Sequence, residues 1–205
     1  MTREISKFLS GGTAETTDAV ILLLHGYGAD ERDLPELMSY LPKLAWFSPR
    51  APLAAGDGYS WYSTVNLLEP SVEELAEVTQ SLWDWVDENI AAEQKIIVIG
   101  FSQGGLMATQ LLRTRPDRIA GTVILSGFLG VGELPADEGL AVTKPKVIYC
   151  RGIEDTRISK EAIARLNTWL QANTKAVTNT YPGLGHSVDE RVMLDVARYV
   201  SAQLA

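Results

Sequence analysis

The stretch that most limits what this chain can become is residues 95–114, KIIVIGFSQGGLMATQLLRT. Ile96, Ile97, Val98 and Ile99 form an unbroken β-branched run, the pattern of a central parallel strand covered on both faces. Gly100, Gly104 and Gly105 interrupt it. Leu106, Met107, Gln110, Leu111 and Arg113 then continue with helical chemistry as far as Pro116. A strand that turns so abruptly into a helix brings backbone against backbone at the turn, where only small residues fit.

Ser102 sits at the tip of that turn. Gly100-Phe101-Ser102-Gln103-Gly104 has the spacing of a nucleophile elbow, with small residues two before and two after an outward-facing serine. A serine hydroxyl is a weak nucleophile and needs a general base, for which an imidazole titrating near neutrality is the usual choice. His25 and His186 are the two histidines. The elbow of α/β-hydrolases is followed by an acid and then by the histidine. His186, in the glycine loop Tyr181-Pro182-Gly183-Leu184-Gly185-His186-Ser187, fits that order, whereas His25 precedes the serine and is read as shaping its own loop by hydrogen bonds.

The third member is a carboxylate that holds the imidazole in its productive tautomer. Asp117, Glu133, Asp137, Glu138, Glu154, Asp155 and Glu161 lie between Ser102 and His186. Active groups of open α/β sheets gather beyond the carboxyl ends of the strands, and Glu154 and Asp155 directly follow the apolar run Lys146 to Gly152. On position alone both stay open. The oxyanion formed by attack needs two N–H donors, one from the residue after the nucleophile. That is Gln103. The second is expected from Tyr27, in the glycine-rich loop His25-Gly26-Tyr27-Gly28.

The rest of the chain alternates strands and helices, which predicts an α/β fold with a mostly parallel central sheet flanked by helices. Residues 3–9 read as an edge strand joined by Gly11-Gly12 and the polar stretch to Asp18 in a hairpin with the strand AVILLL. Asp30 to Leu41 reads as a short helix and Leu44 to Ser48 as a short apolar run. Pro49 and Pro52 then open a long loop to about Pro70. That loop carries Tyr59, Trp61, Tyr62, Val65, Leu67 and Leu68, residues that either pack on the body or line a pocket.

Ser71-Val72-Glu73-Glu74 is a capping box opening a helix to roughly Ala92. Its apolar stripe is Val72, Leu75, Ala76, Thr79, Leu82, Trp83, Val86 and Ile90, with Trp85 off the stripe as a partly covered tryptophan at the core edge. After the elbow come a strand Ile119 to Leu125, a strand Lys146 to Cys150, a helix Ser159 to Ala172, a strand Ala176 to Tyr181 and a final helix from Asp189 towards Leu204.

At 205 residues the chain suits one domain, spanning 1–205. A net charge of -8 argues against nucleic acid or an anionic membrane surface as partner. The N-terminus has no apolar signal core and no run reaches spanning length, so a cytoplasmic protein without stable membrane insertion is expected. Cys150 is the single cysteine, which rules out an internal disulfide. With two histidines it also leaves little from which to build a metal site, so no metal and no cofactor are expected.

Five blocks, LLLHGYGADERDL, FSPRAP with the following WYS, GFSQGG, RGIEDTRIS and GLGHSV, together resemble the phospholipase/carboxylesterase family of bacterial carboxylesterases and acyl-protein thioesterases. The resemblance runs over nearly the whole chain and implies a Ser102, Asp155, His186 triad, choosing Asp155 over Glu154. It also implies hydrolysis of carboxylic esters, thioesters or lysophospholipids as small-molecule substrates, and leaves room for a homodimer. A peptidase or amidase of the same fold and a non-catalytic binding protein are the alternatives.

By the same resemblance the acyl groove involves Phe128, Arg157 and the Trp61 to Leu68 region, with Trp61, Leu67 and Leu68 as substrate-binding residues. Too few residues separate Phe128 from the next strand for a cap domain. Arg157 departs from the family pattern, which places an apolar residue there, so an apolar path shortened to about C2 to C6 acyl chains is expected. Its guanidinium is read as lying at the groove mouth or paired with Glu154.

Overall fold

The computed structural model describes residues 4–13, 18–63 and 67–204. Seven strands make one sheet in the order β1 (Phe8–Gly11), β3 (Trp46–Pro49), β2 (Ala19–Leu24), β6 (Lys95–Phe101), β7 (Ile119–Leu125), β8 (Lys146–Gly152) and β9 (Lys175–Tyr181). Every neighbouring pair is parallel except β1 with β3. A separate hairpin, β4 (Leu53–Ala55) with β5 (Gly58–Ser60), lies outside the sheet. The helices are α1 (Val72–Asn89), α2 (Gln103–Thr114), α3 (Asp137–Thr143), α4 (Lys160–Asn173) and α5 (Glu190–Ser201).

Period-two alternation sorts the central strands into two cores. Val20, Leu22 and Leu24 of β2 and Ile96 and Val98 of β6 pack under α1 and α2. Ile21 and Leu23, with Ile97 and Ile99, face Val192, Met193, Val196 and Val200 of α5. Both faces of these strands are therefore dry, as their unbroken apolar runs require. α3 and α4 cover Val147 and Tyr149 on β8 through Leu140, Leu166, Trp169 and Leu170. Between Phe128 and β8 the chain spends its residues on α3 alone, and no cap domain is present. Among the described residues no helix is long and apolar enough to cross a membrane.

Several local expectations give way to packing. β1 does not form a hairpin with β2. It pairs antiparallel with β3, Phe8 opposite Pro49 and Gly11 opposite Trp46, because both edges of the fully buried β2 are already taken by β3 and β6. The link to β2 at residues 14–17 lies outside the described residues, as does Val65. Trp85, off the apolar stripe of α1, is buried and meets Phe8 and Phe47 edge-on at ring distances of 5.2 and 6.1 Å, sealing this sheet edge. Of the stripe itself Val72 is exposed, while Val78, which the stripe leaves out, is buried in the core.

The helix expected over Asp30 to Leu41 shrinks to a 3-10 turn at Pro35–Tyr40. Asp30 Oδ1 accepts the backbone N–H of Arg32, a local bond that competes with helix. The long loop after Pro52 contains the β4–β5 hairpin, turned at Gly56 with φ +63°. Ser71 caps α1 as its box predicts, accepting from Glu74 N–H at 3.1 Å. The Glu74 carboxylate takes Ser63 N–H at 2.7 Å and Ser63 Oγ–H at 2.9 Å, tying the loop to the helix.

Candidate active site

The elbow forms where β6 hands over to α2. Ser102 occupies φ 55°, ψ -114°, a conformation L-residues avoid unless the surroundings impose it. Its N–H donates to Leu125 O of β7 at 2.8 Å. A Cβ on Gly104 would lie 1.9 Å from Leu24 O, and one on Gly100 would lie 2.0 Å from Gly104 O. The glycines are thus demanded by backbone contact, and the strained serine is held between two strands and the first turn of α2.

His186 reaches Ser102 from the loop after β9. Its Nε2 is 2.9 Å from Ser102 Oγ, and its Nδ1 is 2.8 Å from Asp155 Oδ2. Phe101 supports the ring at a centroid distance of 4.9 Å. Asp155 is buried. Its Oδ1 accepts Arg157 N–H at 2.9 Å and Ile158 N–H at 3.4 Å, which leaves Oδ2 for the imidazole. The two loops meet because Gly152 has no side chain. A Cβ there would fall 2.0 Å from Leu184 O. Glu154, the neighbouring carboxylate, is exposed, and its N–H bonds Leu184 O at 3.0 Å.

Tyr27 and Gln103 line one cavity with Ser102 and His186. Gln103 is the first residue of α2, so its N–H has no carbonyl partner within the helix. No described residue accepts from Gln103 N–H or from Tyr27 N–H. The Gln103 side chain is buried, with Oε1 accepting Trp61 N–H at 2.9 Å and Nε2 donating to Ser60 Oγ at 2.9 Å. The hairpin also pins the glycine loop, through Gly28 N–H to Tyr59 O at 2.9 Å and Tyr59 N–H to Ala29 O at 2.8 Å. Arg50 stacks 4.3 Å over the Tyr59 ring and pairs with buried Glu31, so the hairpin is itself anchored.

His25 plays a part in the same scaffold. Nε2 accepts Ala51 N–H at 3.0 Å, so the proton is on Nδ1, which donates to Gly26 O at 2.7 Å. Burial lowers its pKa from the ordinary 6.5. The unfolded state therefore holds the extra proton over a window just below pH 6.5. Stability is full above that value and falls as pH drops through the window, by at most about 1.4 kcal/mol per pH unit. Urea midpoints measured from pH 8 down to 5 check this. A His25→Gln variant should lack the step, and a step of the same size in that variant would assign it elsewhere.

The cavity beside Ser102 measures about 570 Å³ and is lined further by Gly26, Leu67, Leu68, Phe101, Phe128, Arg157 and Ile158. Trp61 does not reach it. The indole is fully buried in the core, its Nε1–H held by His25 O at 2.9 Å, so its size serves the scaffold and not the groove. Ile158 and Phe101 are lining residues that the sequence reading missed, although Ile158 stood next to Arg157 in RGIEDTRIS. A separate cleft of about 310 Å³ between α1 and α2 contains none of Ser102, Asp155 and His186.

Arg165, also missed, joins from α4 the cavity wall at Leu68 to Leu129, the chain neighbour of the lining residue Phe128. Nη2 donates to Leu68 O at 3.0 Å and Nε to Leu129 O at 3.2 Å, while Nη1 pairs with Glu69 at 3.2 Å. Arg165→Ala frees both segments. KM for a hexanoyl ester should then rise roughly three- to tenfold more than KM for an acetate, given about 1 kcal/mol for such bonds. Equal changes for the two esters would deny Arg165 any hold on the cavity wall.

A strained serine at the carboxyl end of a mostly parallel sheet, lined up with an imidazole and a buried carboxylate, defines the class: an α/β-hydrolase without a cap. Residues 11–204 match the Phospholipase/Carboxylesterase family. The chain belongs to that family and is a serine esterase. It is 24% identical to carboxylesterase SOBER1 of Arabidopsis thaliana, with 90% of each chain covered. It is also 24% identical to acyl-protein thioesterase 1 of Debaryomyces hansenii, with 92% of each covered. The solved Bacillus cereus carboxylesterase has the same fold, at a TM-score of 0.82 with 21% identity, over 96% of this chain and 94% of that one.

Proposed function

We propose that the protein hydrolyses carboxylic esters and thioesters through an acyl-enzyme on Ser102, with His186 as base and acid, Asp155 as orienting carboxylate, and Tyr27 and Gln103 N–H as oxyanion donors. The observation that carries this is the unbroken line Ser102 Oγ, His186 and Asp155, at 2.9 and 2.8 Å, opening into a cavity beside two uncommitted N–H groups. Neutral His186 takes the hydroxyl proton through Nε2 as Oγ bonds the carbonyl carbon. Negative charge develops on the carbonyl oxygen, where the two N–H groups stabilise it. The carbon–oxygen or carbon–sulfur bond breaks, and the proton passes from His186 to the leaving group. Water then repeats the sequence, releasing the acid and restoring Ser102.

The same constellation could serve an amidase. An ester or thioester is favoured because the relatives are a carboxylesterase and an acyl-protein thioesterase by name. Matched aryl ester, thioester and anilide substrates of one acyl group test the choice, run beside a lysophospholipid and a serine-directed phosphonate. Ester and thioester turnover with a single phosphonate adduct at Ser102 is the expected result. Preferential anilide cleavage, or an adduct on another residue, would overturn it.

A further inference from the structure

We infer that the cavity beside Ser102 receives acyl groups whose far end carries a carboxylate, and that Arg157 recognises that end, a substrate class that rests on the esterase reading above. Arg157 N–H is bonded to Asp155 Oδ1 at 2.9 Å, so its backbone is fixed beside His186 and Ser102. The side chain is exposed and lines the cavity with Leu67, Leu68, Phe128 and Ile158. Among the described residues no lysine, aspartate, glutamate or second arginine lines it.

Arg157 makes no ion pair with any described residue, Glu154 included. Of the other described arginines, Arg32, Arg50, Arg113, Arg115, Arg118, Arg165, Arg191 and Arg198 are each paired with a carboxylate, and Arg151, which does not line this cavity, is not. A free guanidinium, with five donors and no internal acceptor, thus stands among apolar walls. An apolar chain end would strip its water without replacement. A carboxylate replaces that water with a charge-assisted, two-point bond. The net charge of -8 opposes any anion at long range, but at physiological salt that field is screened over about 8 Å, so the local cation decides.

The geometry assigns the anion to the acyl part and not to the alcohol. The leaving group must lie against His186 to receive its proton. His186 also lines a second cavity, of about 250 Å³, together with Asp33, Glu36, Phe101 and Val188. These carboxylates disfavour a negatively charged alcohol. The net reaction is the one already described: monoester and water give dicarboxylic acid and alcohol, with no further reactant.

The test compares aryl monoesters of glutarate, adipate and pimelate with neutral alkanoates of matched length, after subtraction of the uncatalysed rate. It also includes aryl acetates bearing a carboxylate on the ring, and uses wild type, Arg157→Leu and Arg157→Lys at one ionic strength. The readout is the ratio of kcat/KM for charged to neutral ester within each protein, in which general damage to the fold cancels. Wild type should favour at least one monoester, Arg157→Leu should lower that ratio roughly 10- to 100-fold, and Arg157→Lys should retain part of it. A wild-type ratio of one or less, an unchanged ratio in Arg157→Leu, or a preference only for the ring carboxylates would overturn the inference. Failure to hydrolyse every ester, neutral acetate included, would instead remove the esterase reading beneath it.

Discussion

Replacing Ser102 with alanine lowers kcat on an activated aryl ester by about 10⁴-fold or more, with the unfolding midpoint close to that of wild type. The serine hydroxyl makes one protein bond, to His186 at 2.9 Å, and contributes nothing to the core. Alanine keeps the Cβ and so meets the same backbone demand at φ 55°. What is lost is the nucleophile alone. The two proposed N–H donors remain, so a small rate above that in water should persist. A variant that kept a tenth of wild-type turnover, free of contaminating wild type, would place the nucleophile elsewhere.

Asp155→Asn costs about 10³- to 10⁴-fold in kcat, while Glu154→Gln costs under tenfold. The asymmetry follows from which atoms surround each carboxylate. Asp155 Oδ1 is fixed by the N–H groups of Arg157 and Ile158, which require an acceptor. The asparagine oxygen must take that position, turning its NH₂ towards His186 Nδ1. The imidazole then carries its proton on Nε2, facing Ser102, and has nothing with which to accept the hydroxyl proton. Glu154 is exposed and contributes only its backbone N–H to the loop, so an amide there changes little. Steady-state rates with circular dichroism of both variants check the ranking. Equal losses would deny Asp155 a special role.

Much of the architecture was legible because burial leaves a pattern in the residues. The unbroken apolar runs of β2 and β6 announced strands covered on both faces, and the glycines around Ser102 announced a turn in which backbone meets backbone. The β1–β2 hairpin was misread for a complementary reason: local turn residues say that a chain reverses, but which neighbour it joins depends on which edges are free. The 3-10 turn at Pro35–Tyr40 likewise reflects a local competition, won by the Asp30 side chain, that apolar spacing does not register.

By itself the sequence determined the elbow, the order of serine, acid and histidine along the chain, and the two strand ends from which the partners of Ser102 come. These depend on residue type and local backbone demand, and such constraints are written in spacing. Only the tertiary structure decided which large side chains are scaffold and which are wall. Trp61 and Leu67 occupy the same loop and read alike, yet one is locked under His25 and Gln103 while the other faces the cavity. Nor could the sequence reveal that Arg165 holds Leu68 and Leu129 together, or that the Arg157 guanidinium has no carboxylate partner among the described residues. Both facts depend on distances between residues far apart in the chain, and whether a charge is satisfied is settled only once the chain has closed around it.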